Sequence, residues 1–153
     1  MTDHLAMLLH LIGFAAFVGA AFAQQEFMKR SAAPALAPAI RDEYERLSAA
    51  ICTKIELPAL FAQVAIGIFF IAENPAYLKQ HWLHGKLTAV VLILFLAHAE
   101  MFNARRLARA RAERGDAANE EIAARKKKHA ALGAVGTVLV VATVVLAVFK
   151  PGG

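Results

Sequence analysis

The run LAMLLHLIGFAAFVGAAFAQQ, residues 5–25, decides the fold, because it holds no Asp, Glu, Lys or Arg. A bilayer core is about 30 Å thick and a helix rises about 1.5 Å per residue, so about 20 consecutive apolar residues cross it. Three further stretches qualify. With the first extended to Met28, the predicted spans are about 5–28, 48–72, 82–102 and 130–149. Pro34 and Pro38 break the first connection, Asn74 and Pro75 open the second, and Lys150, Pro151 and Gly152 stop the last span. Residues 103–128 carry Arg, Ala and Glu with no Pro and one Gly, so they could extend the third helix into water.

Composition agrees. The 153 residues are 59% hydrophobic and 19% charged, with a mean hydropathy of +0.50, and soluble domains average about 25% charged. A soluble globule, a disordered chain and a disulfide scaffold are poor fits, and the single Cys52 cannot form an internal disulfide. The net charge of +5 comes from residues that flank the spans without interleaved aromatics, so nucleic acid is not the expected partner. Thirteen of the 17 Lys and Arg lie in residues 29–47 and 103–129. By the positive-inside rule both connections are cytoplasmic and both termini lie on the outer, periplasmic side. The expectation is one all-α integral membrane domain over residues 1–153, a four-helix transmembrane bundle in contact with lipid. Ala21-Phe22-Ala23 after an apolar run also resembles a signal-peptide cleavage site, but Asp3 and His4 stand where such a peptide carries Lys or Arg.

Ionisable side chains inside a bilayer are costly and mark candidate sites. Counted from the outer ends at about 1.5 Å per residue, His10 lies about 8 Å deep, His84 about 3 Å and Lys86 about 6 Å. A second polar layer, toward the cytoplasmic ends, comprises Gln24, Gln25, Glu26, Lys54, Glu56, His98 and Glu100. At about 100° per residue His84 and His98 share a face, whereas Lys86 points about 160° away from His84. His10, Gly13, Phe14, Phe17, Ala21 and Gln24 form one stripe, and Glu56, Leu60, Gln63 and Gly67 another.

Plainer readings stand beside these. His10 could be a packing residue bonded to a carbonyl, and Lys86 could snorkel to the outer water. His81 and His84 flank Trp82 at the interface, as belt anchors do. Glu26, Lys54 and Glu56 lie near enough to the edge for ion pairing or snorkelling, and Arg125 to Lys128 read as topology determinants that touch anionic lipid. A buried His in a helical bundle also suits b-type haem, with His10 level with His84 or Lys86 but about 16 Å from His98 along the axis. The covalent C-x-x-C-H attachment motif is absent.

The order of these features resembles the HemJ-type protoporphyrinogen IX oxidases and the wider copper-resistance-protein-D-like membrane proteins. It rests on Leu9-His10-Leu11, Gly67, Trp82-Leu83-His84-Gly85-Lys86-Leu87, His98, the basic connection and Lys150-Pro151. The resemblance implies a multi-pass protein of the bacterial inner membrane that binds haem b, with His10 as the iron ligand and Lys86 as its essential partner. His84 and His98 are further candidates for cofactor binding. The implied activity is oxidation of a porphyrinogen-like substrate, with electrons passing through haem to quinone or another carrier. The chain departs from that pattern at Phe17-Val18-Gly19, at Gln24-Gln25-Glu26-Phe27 and at Arg125-Lys126-Lys127-Lys128-His129. Two other classes remain open. One is copper or small-solute transport through the polar layers, with Met7, Met28, Met101 and Cys52 as soft ligands. The other is a haem- or quinone-binding membrane anchor of a respiratory complex, and self-association is equally open.

Overall fold

The computed structural model describes residues 2–151, with side chains from His4 onward. The described chain is helical almost throughout: α1 (Thr2–Arg30), α2 (Pro38–Ile51), a π-helical turn (Cys52–Glu56), α3 (Leu57–Glu73), a 3₁₀ turn (Pro75–Lys79), α4 (His81–Arg114), a second 3₁₀ turn (Gly115–Ala118) and α5 (Asn119–Phe149). Three continuous helical stretches, His4–Arg30, Pro38–Glu73 and His81–Phe149, are long and apolar enough to cross a membrane. The third is folded on itself. Lys150 lies 5.6 Å from the centre of the Trp82 ring, Asn103 Nδ2 donates to Arg125 O at 2.9 Å, and Arg114 pairs with Glu121, so α4 and α5 form an antiparallel hairpin.

A second antiparallel pair joins α1 to the α2–α3 rod. His10 meets Phe70 edge-on at 5.9 Å, Ser48 Oγ donates to Gln24 Oε1 at 3.3 Å, and Phe27 packs on Tyr44 at 5.6 Å. The beginning of α1 and the end of α5 therefore share one end of the bundle, and the basic residues lie at the other.

Each helix runs further than its apolar core. Helix two begins at Pro38, ten residues before the predicted Ser48, and the predicted connections shrink to residues 31–37 and the turn at Gly115–Ala118. Pro38 does not break the connection, because a proline in the first helical turn has no hydrogen bond to lose and its fixed φ starts α2. Gly115, at φ 53°, makes the sharp exit from α4 that a side chain would resist. Lys150 leaves α5 in the left-handed region ahead of Pro151, and Gly152, also predicted to stop that helix, lies outside the described residues.

The π turn has a local cause. Pro58 has no N–H for the carbonyl four residues earlier, and the ladder slips so that Leu57 N–H reaches Cys52 O. Cys52 and Glu56 are both buried at this turn.

At the basic end, Glu45 is fully buried. Arg111 Nε reaches its Oε2 at 3.1 Å from α4, and Lys126 Nζ its Oε1 at 2.7 Å from α5. Lys126 also donates to Ser31 O at 2.9 Å, and Arg111 to Asn119 Oδ1 at 2.8 Å. Arg111 and Lys126 were counted with the topology determinants; burial makes them structural as well. Glu45→Leu removes the buried carboxylate that Arg111 and Lys126 share and leaves Arg111 only its longer ion pairs with the exposed Asp42 and Asp116, at 3.4 Å each; breaking a buried pair in this way typically costs about 3–5 kcal/mol. The expected outcome is a clear fall in the thermal unfolding midpoint in detergent, whereas Glu43→Leu, which breaks only the exposed pair with Arg46, leaves it near wild type.

Candidate functional site

The two polar layers occupy different levels. At the end shared by the beginning of α1 and the end of α5, His10 from α1 and Lys86 from α4 are both half-buried. The His10 imidazole stands against the Phe70 ring, and its buried Nδ1 has no hydrogen-bond partner among the described residues. One turn further along α1, Gly13 lies so close to the buried Gln63 amide that a Cβ there would collide with it. Gly13 is thus the small residue that lets α3 approach.

The other candidates of this layer fall elsewhere. His84 is exposed, with its ring 6.5 Å from that of His81, as helical angle requires once Lys86 turns inward. His98, from the second layer, bonds back to its own helix in mid-α4, with Nδ1 2.7 Å from Leu94 O, and meets Phe61 at 5.7 Å. Neither histidine is brought to His10. Among the described residues no group of three or more His, Cys, Asp and Glu is placed to hold a metal ion, and Met28, Met101 and Cys52 pack together in the apolar core.

Deeper in the bundle, toward the basic end, lies a cavity of about 370 Å³. Phe14, Phe17, Ile93, Leu96 and Val140 form much of its wall, and Gln24, Gln25, Glu56 and Glu100 contribute its polar groups. Gln25 Nε2 donates to Glu100 Oε1 at 2.6 Å and to His129 O at 3.3 Å. His129, fully buried, places Nε2 2.5 Å from Gln24 Oε1. A carbonyl oxygen only accepts, so His129 carries its proton on Nε2. Ser48 donates to the same oxygen at 3.3 Å, and the Gln24 amide nitrogen, buried beside it, has no hydrogen-bond partner among the described residues.

Glu56 is 3% exposed, and its Oε2 has no hydrogen-bond partner. The expectation that Glu56 snorkels or forms an ion pair is therefore corrected: the π turn directs it into the bundle, away from the edge. Glu26 does pair on the surface, with Arg30 at 2.7 Å, and Lys54 is exposed. His129 was missed because it sits at the end of a lysine run and reads as one more basic residue. Its spacing from the lysines carried no signal of burial, which comes from α1 passing across α5.

Close approach of α1 and α5 depends on Gly133, where a Cβ would collide with the Gln25 side chain. Gly133→Ala should push Gln25 off Glu100 and lower thermal stability by about 1–3 kcal/mol. Gly136→Ala, whose Cβ would meet nothing within 4 Å, should leave unfolding unchanged. Parallel melts of the two variants check the pair.

The chain has no significant match among curated proteins or among solved structures. Its long apolar helices and inward-facing polar groups are those of an integral membrane protein. Residues 4–151 match the family described as predicted integral membrane protein (DUF2269), and the chain belongs to that family.

Proposed function

We propose that the protein is a haem-b-binding oxidoreductase of the bacterial inner membrane, resembling protoporphyrinogen IX oxidase, with four membrane crossings and both termini on the outer side. The observation that carries this reading is that His10 on α1 and Lys86 on α4, residues distant in sequence, are both half-buried toward the same end of the bundle. A half-buried cation and a half-buried imidazole are each expensive inside a membrane bundle, and an acidic or metal-bearing ligand would offset that cost.

The chemistry of these residues supports haem: His10 would hold it through an imidazole with an unpartnered buried nitrogen, Phe70 would give it an aromatic edge, and Lys86 would give an amine for the iron or a charge for the propionates. When bound, haem b supplies one-electron chemistry between a porphyrinogen-like substrate and a quinone or another carrier. The protein's own part is to fix the imidazole by packing, to hold positive charge near the acidic groups of a porphyrin-like molecule, and to keep water from an apolar interior.

The purified protein should show a Soret band and one equivalent of haem as the pyridine haemochrome, and His10→Ala should lose both. Lys86→Met should shift the band or weaken haem retention. A protein purified from haem-replete cells without a Soret band overturns the reading, as does an unaltered spectrum in His10→Ala. Copper bound in place of haem would favour the transport class, and stable co-purification of other chains the anchor class.

Topology has its own check. With the buried Cys52 retained, a cysteine introduced at Ala117 should resist a membrane-impermeant maleimide in intact cells, and one introduced at His4 should react. The reverse pattern overturns the orientation.

A further inference from the structure

We infer that the cavity between α1, α4 and α5 is the binding site for the ring of a lipid-soluble quinone. The inference gives a place to the carrier named in the reading above, but it rests on different residues and can fail separately.

The cavity has about the volume of a small ligand pocket, and its walls are almost wholly apolar. Phe22 and Val141 line it and are also 63% and 57% exposed, so it opens on a face of the bundle that lipid covers. A ligand that enters there comes from the bilayer, with its tail free to remain in the acyl chains. A plain hydrocarbon would satisfy the walls but not the polar end. Gln24 is fully buried, its carbonyl oxygen is taken by His129 and Ser48, and its Nε2 has no acceptor. Glu56, 3% exposed, also lines the cavity, with Oε2 unpartnered. An unmet buried donor is costly, and the ligand that meets it must bring an acceptor.

A quinone ring brings two carbonyl oxygens on a flat, apolar frame. The carbonyl at the polar end would accept from Gln24 Nε2–H and from Glu56, which as a carboxylic acid donates its O–H and as a carboxylate accepts the hydroxyl of a quinol. Glu100, held by Gln25, gives the same end a second carboxyl. Phe14 and Phe17 supply aromatic surface for the ring, and Gly136 leaves room beside it, since a Cβ there meets nothing within 4 Å.

The test uses the full chain in phosphatidylcholine nanodiscs, an azido-substituted short-chain ubiquinone as photoprobe, and decylubiquinone as competitor. Labelling should map to α1 and α5 residues that line the cavity and fall with added decylubiquinone. Gln24→Leu and Glu56→Leu should each weaken competition by about tenfold, the loss of one buried hydrogen bond. Gly136→Leu, which adds bulk at a cavity-lining position where a Cβ meets nothing within 4 Å, should abolish site labelling while leaving the unfolding midpoint unchanged. His10→Ala should leave labelling intact, so a failed haem assignment does not affect this result. Labelling spread over the lipid-facing surfaces and insensitive to decylubiquinone overturns the proposal and makes the cavity an acyl-chain site. Unaltered site labelling in Gly136→Leu overturns it as well.

Discussion

The Glu45 carboxylate has no access to solvent, and Arg111 and Lys126 reach it from two other helical rods. Its position shows what holds this bundle together. The large apolar side chains of α1, α3, α4 and α5, from Leu5 and Leu8 to Val148 and Phe149, stand mostly on the outside. Lipid is as apolar as those side chains, so burying them against one another would gain little, and helix association depends on small-residue contacts and polar links. Gln24, Ser48, Gln63, Glu100, Asn103 and His129 accordingly turn inward. The cluster around Glu45 is the most highly charged of these links, because one buried carboxylate there is shared by a guanidinium and an ammonium from two different helices.

The polar links also set the spacing of the rods. Gly13 admits Gln63 and Gly133 admits Gln25, so α1 is drawn against α3 on one side and against α5 on the other. Between these contact points larger side chains keep the backbones apart, and the cavity lies in that interval with Gln24 and Gln25 at its polar end. The π turn at Cys52–Glu56 brings Glu56 to the same place. Stability and the candidate chemistry therefore share residues: the Gln24 side chain that His129 anchors through its oxygen also carries the unpartnered amide nitrogen.

Much of this was legible in the sequence, for a physical reason. Residues 5–25 and 130–149 have one solvent that suits them, and the helical stripes that contain Gln24 and Gln63 had to face inward because lipid would not solvate them. The similar depth expected of His10 and Lys86 rests on a fixed rise per residue. Helix ends were less legible. The stretches 38–47, 103–114 and 119–129 are charged, and a search for apolar runs stops where they begin, although their backbones have no reason to leave the helix.

What the sequence by itself determined is the class of solvent, the number of apolar runs and the depth of each polar residue. All of these depend on composition and on one helical repeat. Only the tertiary structure decided which polar groups meet. Glu56 and His98 read alike as charged or polar residues near a helix end, yet one lines a cavity and the other bonds the carbonyl of Leu94. His129, hidden in a basic run, became the anchor of Gln24 because α1 crosses α5 at that height. Partnership between helices depends on rotation and approach distance, and a linear chain states neither.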